Sequence, residues 1–262
     1  MKKAVKTTLA FILVLAFFIP FAGCQNTNVS IKSVDDLEGK KIGVQLGTTG
    51  DIYAEDIKGA TIERFQNGAA AVLALRQKNI DAVIIDDQPA KVFASMNSDI
   101  VVLDEPFTVE DYAICVSKDN PDLTAMMNKA IGELKADGTL QKILDHYIGQ
   151  VPGSSTYESP PGTAYPNGKL IMVTNAEFPP YEFFADDETI VGVDPSFAKA
   201  ICDKMGYDLE IIHIEFSSII TEVLTGRADF GAAGMTITDD RLKNIDFTDP
   251  YVTASQVVII RK

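Results

Sequence analysis

The chain has 262 residues, 46% of them hydrophobic, and its 37 acidic against 23 basic side chains give a formal net charge of −14 at pH 7. That length and apolar content can build one large or two small packed cores. So acidic a chain lacks the basic footprint that nucleic acid or an anionic lipid surface requires, which excludes both as docking partners.

Lys2, Lys3 and Lys6 precede an apolar run from Leu9 to Phe21, broken only by Pro20, and the run ends in Phe21-Ala22-Gly23-Cys24. A basic start, a short apolar stretch and small residues at its end form the pattern of an export signal. The run is too short and wrongly flanked for a stable spanning helix. Small residues directly before a cysteine resemble the lipobox of bacterial lipoproteins, although Phe21 replaces the usual aliphatic residue. That resemblance implies a lipoprotein signal peptide over residues 1–23, lipidation at Cys24 and a lipidated tether over 24–30; an ordinary cleaved signal is the alternative. Losing the leader and its three lysines leaves 239 residues and a net charge of −17. The expected location is extracytoplasmic, at the cell surface or in the periplasm, with the membrane touched through the lipid anchor only.

Lys41 to Val44 predicts a short strand, Gly47-Thr48-Thr49-Gly50 a turn, and a helix begins near Asp51. Ala69 to Leu75 is helical in composition, Asp81 to Ile85 is a short apolar run ending in Asp86-Asp87, a helix runs from about Gln88 to Met96, and a strand covers Ile100 to Leu103. Pro121 to Tyr147 predicts two helices broken near Asp137-Gly138. The second half repeats the alternation: strand Lys169–Val173, helix Pro195–Met205, strand Leu209–Ile214, helix Ile219–Leu224 and strand Asp229–Ala233. Helices alternating with fully apolar short strands predict an α/β fold of two lobes, each a mostly parallel sheet flanked by helices. Between the halves, residues 151–168 hold Pro152, Pro160, Pro161 and Pro166 among Ser, Thr and Gly, a composition that predicts a linker without a core.

One local misfit stands out in Gly234-Met235-Thr236-Ile237-Thr238-Asp239-Asp240-Arg241. Thr238 with two acids after it predicts an N-cap, which puts Arg241 in the first helical turn. A cation there opposes the helix dipole by roughly 0.3–1 kcal/mol, and such broken rules gather at functional sites. Arg241 either pairs with Asp239 or Asp240 on a solvated helix or presents its five-donor fork to a carboxylate. A free α-amino acid needs donors and a cation for its carboxylate, an anion for its ammonium, and apolar walls. Arg241, Thr236 as a further donor, and the amides around Gly234 supply the first. The Gly47–Gly50 turn adds N–H groups at a helix start, Asp86 supplies the anion unless it caps the helix at Gln88, and Phe178 and Phe216 supply walls unless they are core. Cys115 and Cys202 sit in apolar surroundings and predict buried thiols. His146 and His213 show no metal-ligand spacing, so neither metal nor cofactor is expected.

These segments resemble the family 3 extracellular solute-binding proteins, the amino-acid receptors of bacterial ABC importers. The resemblance rests on Thr174-Asn175-Ala176-Glu177-Phe178-Pro179-Pro180-Tyr181-Glu182, Val191-Gly192-Val193-Asp194, Ala233 to Thr238 with Arg241, and Asp246-Phe247-Thr248-Asp249-Pro250-Tyr251. It extends to Ser33–Lys40, Gly47–Gly50, Asp81–Asp86 and Lys135–Thr139. It implies a two-lobe periplasmic-binding-protein-like fold of type II, with Asn175, Phe178, Phe216, Gly234, Thr236, Arg241, Gln45, Thr48, Thr49 and Asp86 at ligand-contacting positions. Glu177 is the specificity candidate for a polar or basic ligand. The implied partners are a free amino acid and an ABC transporter permease.

The order of segments departs from the family, because the Gly-Thr-Thr-Gly segment precedes Asn-Ala-Glu-Phe-Pro-Pro, so the chain resembles a circular permutant. The expected division is lobe 2 over 31–113, the C-terminal helices of lobe 1 over 114–150, the linker over 151–168, and the main part of lobe 1 over 169–262. Only one covalent crossing between lobes is then expected, near Tyr112 to Val116, with a domain-swapped dimer as its consequence. Leu209 stands where some members carry the partner of Cys202, so that disulfide is not expected. The same fold also hosts enzymes resembling cyclohexadienyl dehydratase; for that alternative Glu177 is the candidate general acid.

Overall fold

Short apolar runs build the first of two large sheets. The computed structural model describes residues 31–262; the expected leader, Cys24 and the tether lie outside the described residues. Strands β1 (Lys41–Gln45), β2 (Thr61–Phe65) and β3 (Ala82–Asp86) pair in parallel, β1 lying between the other two. In β3, Ala82 and Ile84 join one apolar cluster while Val83 and Ile85 join another, so the strand is buried on both faces. Helix α1 (Thr49–Glu55) covers the first face, α2 (Gly68–Arg76) and α3 (Asp87–Met96) the second. Thr48 caps α1 by accepting from Asp51 N at 3.4 Å, and Asn67 caps α2 by accepting from Ala70 N at 2.8 Å. Beyond β4 (Ile100–Val102) and β5 (Thr108–Tyr112) the chain leaves this sheet.

The second sheet has the order β11-β7-β12-β6-β13. Its strands are β6 (Cys115–Val116), β7 (Lys169–Thr174), β11 (Asp208–His213), β12 (Phe230–Gly231) and β13 (Asp246–Phe247), with β11, β7 and β12 parallel. Helices α4 (Pro121–Ala136), α5 (Thr139–Tyr147) and α6 (Val193–Met205) pack together on one side, and α7 (Ile219–Leu224) lies on the other. A small antiparallel sheet of β8 (Glu177–Phe178), β9 (Glu182–Phe184) and β10 (Ile190–Val191) leads into α6, and the short α8 (Asp239–Leu242) follows β12. Cys115 and Cys202 are both buried free thiols.

Three expectations change. The last strand, β14 (Val252–Arg261), does not belong with 169–251: it inserts antiparallel between β3 and β4 and also pairs with β5. Its buried Val257, Val258 and Ile259 need a central position in the first sheet. Each of the two large sheets is mixed, with parallel pairing confined to three strands. The chain also crosses between sheets twice, from Tyr112 to Cys115 and from Phe247 to Val252, so the single crossing that motivated a swapped dimer is not what the fold contains. Finally, residues 151–168 form a strap along α5 and α6. Tyr147 and Thr156 hydroxyls meet at 2.9 Å, Tyr157 donates to Asp203 at 2.9 Å, and Asn167 Nδ2 donates to the Met205 carbonyl at 2.8 Å. The prolines and glycines exclude a core of the strap's own, yet its polar and aromatic side chains find partners on a neighbouring one.

Gly192, which begins α6, has φ +136°, and a Cβ there would lie 2.1 Å from the Tyr181 carbonyl oxygen. Gly192→Ala should lower the unfolding free energy by at least about 2 kcal/mol in denaturant titrations. Gly132→Ala, in α4 with open space around it, should raise it by about 0.4–1 kcal/mol.

Candidate functional site

The misfit at Arg241 resolves in three dimensions. Thr238 caps α8 by accepting from Arg241 N at 3.2 Å, and Asp240 pairs with Lys243 on the surface. The Arg241 side chain turns inward and is only 9% exposed. It donates to the Thr236 carbonyl at 2.7 Å and to the Gly47 carbonyl at 3.0 Å, and its guanidinium carbon stands 5.5 Å from the centre of the Phe216 ring. Among the described residues no carboxylate forms an ion pair with it. Burial lowers its pKa by disfavouring the charged form. A buried cation held by carbonyls alone keeps donor capacity for an anion.

Anionic groups face the same space. Asp86 closes β3 at 5% exposure and does not cap α3 through its side chain; instead it accepts from the Tyr112 hydroxyl. Burial pushes its pKa up to about 7, the nearby Glu110 carboxylate pushes the same way, and hydrogen bonds from Tyr112 and Gln256 oppose them. Glu110 is absent from the sequence-derived site. It is 4% exposed on β5, and its Oε2 accepts from Thr49 Oγ1, Thr236 Oγ1 and Gln256 Nε2, each at 3.0 Å. The signal for it is the alternation Val109 exposed, Glu110 buried, Asp111 exposed, Tyr112 buried, which only a strand assignment there would have exposed.

All ten residues expected at the ligand line one cleft, together with Ala233: Gln45, Thr48, Thr49, Asp86, Asn175, Phe178, Phe216, Gly234, Thr236 and Arg241. The empty space, mouth included, is about 290 Å³. They come from the ends of β1, β3, β7, β11 and β12 and the segments that follow, which is where open α/β sheets hold ligands. Gln45 Nε2 donates across the cleft to Asn175 Oδ1 at 3.0 Å, and Asn175 Nδ2 donates to the Ile214 carbonyl at 2.9 Å. Gly234 has φ +51°, and a Cβ would come within 2.9 Å of the Phe178 ring, so only glycine lets that ring close the wall.

Several expected donors are already engaged. The Gly234 N–H goes to Asp194 Oδ2 at 2.7 Å, and the Gly47 N–H to Asp51 Oδ2 at 3.0 Å. Thr48 donates its hydroxyl to the Gln45 carbonyl at 2.8 Å. The Thr236 hydroxyl donates to Glu110, so toward the cleft it offers lone pairs rather than the proton expected of it. Glu177 does not line the cleft; it is half-buried and accepts from Asn67 Nδ2 at 3.0 Å. His213 Nδ1 accepts from Ala176 N at 3.0 Å and His146 meets the strap, both structural contacts. Among the described residues no group of three or more metal-type side chains converges.

The bacterial extracellular solute-binding proteins of family 3 match this chain over residues 38–150 and 170–262. The chain belongs to that family. It is 39% identical over 94 residues to the arginine-binding extracellular protein ArtP of Bacillus subtilis, covering 36% of each chain. It is 37% identical over 122 residues to a probable histidine-binding protein of Campylobacter jejuni, covering 46% of this chain and 48% of the other. To the L-cystine-binding protein TcyJ of Escherichia coli it is 32% identical over 122 residues, 46% of each chain. The matched stretches span less than half the length of these relatives. Among solved structures, an ancestral arginine-binding protein bound to arginine aligns with 42% identity and a TM-score of 0.32, over 32% of this chain and 38% of that one. The family is extracellular, its named relatives are binding proteins, and among the described residues no helix is long and apolar enough to cross a membrane.

The folded state holds the Asp86 proton above the ordinary carboxylate range, so the associated stability is present below about pH 4 and is lost as pH rises through about 7. At pH 8 the unliganded protein therefore carries a buried carboxylate that Asn would remove. Asp86→Asn should raise its melting temperature at pH 8 by several degrees, with the difference shrinking as pH falls.

Proposed function

We propose that this protein is an extracytoplasmic receptor that clamps a polar or basic amino acid between its two lobes and delivers it to an ABC transporter permease. The observation that carries this reading is the pairing of unsatisfied charges around one cleft. Arg241 is a buried cation without a carboxylate, while Asp86 and Glu110 are buried carboxylates without a cation among the ion pairs of the described residues. A zwitterion satisfies both at once, its carboxylate on Arg241 and its ammonium on Asp86. Phe178 and Phe216 supply apolar walls. The binding of arginine, histidine and cystine by relatives in this family supports the ligand class.

The finer parts of the reading stand on the sequence. Lipid anchoring rests on Ala22-Gly23-Cys24, and circular permutation on the order of the two motif groups, with the family match falling on either side of the strap. The two covalent crossings remove the particular motive for a swapped dimer. The enzymatic alternative needs a general acid in the cleft; Glu177, its candidate, is held by Asn67 outside the lining.

The test is thermal unfolding of the mature, unlipidated protein against the twenty amino acids and cystine. A ligand at about 100 times its dissociation constant adds roughly 2.7 kcal/mol, a shift on the order of 2–4 °C per kcal/mol at this size. Arg241→Ala should abolish the shift for every ligand alike. A wild-type protein unmoved by all of them, or an Arg241→Ala variant that keeps its shifts, would sink the reading.

Binding of an ammonium requires the Asp86 carboxylate, and in the unliganded site that group is held up to about 7. Affinity measured by calorimetry should therefore weaken as pH falls below about 7, by roughly tenfold per unit in the limit.

A further inference from the structure

Glu110 occupies a place that neither the cleft lining nor the family's motifs pick out. One oxygen of its carboxylate collects three donors at 3.0 Å, from Thr49 at the start of α1, from Thr236 in the turn after β12, and from Gln256 on β14. Thr49 follows a strand of the first sheet and Thr236 a strand of the second, so this single oxygen ties both lobes. The two strands that bear Glu110 and Gln256, β5 and β14, are paired with each other and are the strands on which the chain crosses between sheets. The other carboxylate oxygen, Oε1, is buried and has no hydrogen-bond partner among the described residues. Asp86, Tyr112, Tyr53 and Arg241 are the ionisable groups whose charges act with it.

A hydroxyl has one proton. Because Thr49 and Thr236 both donate theirs to Glu110, each is left with only lone pairs for other partners. Thr49 Oγ1 already accepts from Gln256 Nε2 at 3.1 Å, and Thr236 Oγ1 keeps its acceptor capacity for the cleft it lines. The arrangement also places a second negative charge behind the wall that holds Asp86. The end of the cleft near Asp86 is thereby built from acceptors and anions.

We propose that Glu110 is a positioning residue: it draws the Thr49 and Thr236 hydroxyls together as the lobes close and fixes that of Thr236 as an acceptor for the ammonium of a bound amino acid. The proposal rests on the receptor reading above. Without Glu110 the Thr236 hydroxyl is free to rotate its proton into the cleft, against the ammonium, and one tie between the lobes in the closed state is lost.

The test is a double-mutant cycle by calorimetry, with Glu110→Gln, Thr236→Val and the two combined, using the amino acid that gives the wild type its largest thermal shift in the panel of twenty and cystine. Glu110→Gln should weaken binding by about tenfold or more. The combined variant should be no weaker than Thr236→Val alone by more than about threefold, because both changes remove one interaction. Glu110→Gln should also move the pH midpoint of binding downward, since Glu110 is one of the groups that raises Asp86, a change that a loss of packing would not produce. If Glu110→Gln fails to unfold cooperatively, Glu110→Asp, which keeps the charge and shortens the reach, decides by the same cycle. Wild-type-like affinity in these variants, or losses that multiply in the combined one, would overturn the role of Glu110 while leaving the receptor reading intact. A wild type that binds none of the panel would overturn both.

Discussion

A guanidinium taken out of water without a carboxylate partner is the constraint around which this cleft is built. Leaving a charge buried and unpaired costs several kcal/mol even after relaxation, and the fold answers with two carbonyl acceptors and an aromatic face. Those acceptors are Gly47 O, from the turn after β1, and Thr236 O, from the turn after β12. They belong to different sheets, so Arg241 is satisfied only while the two sheets' turns stand together. The same holds at the anionic end, where Glu110 takes hydroxyl protons from both sides. Closure and charge satisfaction are therefore one condition, and a zwitterion that supplies both missing partners favours the state in which they meet.

The wall opposite is held by a second buried carboxylate pair. Asp194 accepts from the Gly234 N–H and from the Tyr251 hydroxyl, each at 2.7 Å, and burial pushes its pKa up to about 6. Glu182, beside it and fully buried, is raised well above its ordinary range by burial and by the Asp194 charge. Asp194 starts α6 behind Gly192, whose backbone no side chain can share with Tyr181. The glycine thus sets the carboxylate, the carboxylate sets the Gly234 amide, and Gly234 lets Phe178 close the wall.

Legibility in the sequence followed the physics of each element. The strands β1, β3 and β7 and the helices α3, α4, α5 and α7 show in apolar runs, caps and a Gly break, because those signals are local. The strand β5 was not legible, since Thr108–Tyr112 mixes acids with a valine and reads as a strand only once β14 lies beside it. With β5 went Glu110, the one buried carboxylate of the site outside the motifs. The placement of β14 failed for a related reason: a C-terminal Val-Val-Ile-Ile run specifies burial but not which sheet buries it. Most of the cleft lining was legible because chemistry named its needs, and Gln45 and Asn175 were legible only through the family resemblance, yet the direction of each hydrogen bond was not. Thr236 as donor or acceptor depends on Glu110, a residue 126 positions away.

The cleft does not depend on the order in which its segments follow one another. Each wall is carried by its own strand-and-turn unit: β1 with Gln45–Thr49, β3 with Asp86, β7 with Asn175 and Phe178, β12 with Gly234–Arg241. What holds the units in register is sheet pairing, together with the two crossings at Tyr112–Cys115 and Phe247–Val252. The segment that joins the halves, 151–168, touches α5 and α6 and contributes no residue to the lining. Joining the units in a different order changes which ends need a strap, and the strap is far cheaper to supply than the cleft, since closing a loop grows costlier only with the logarithm of its length. The demands on sequence therefore concentrate where two sheets must present opposite charges across one narrow space.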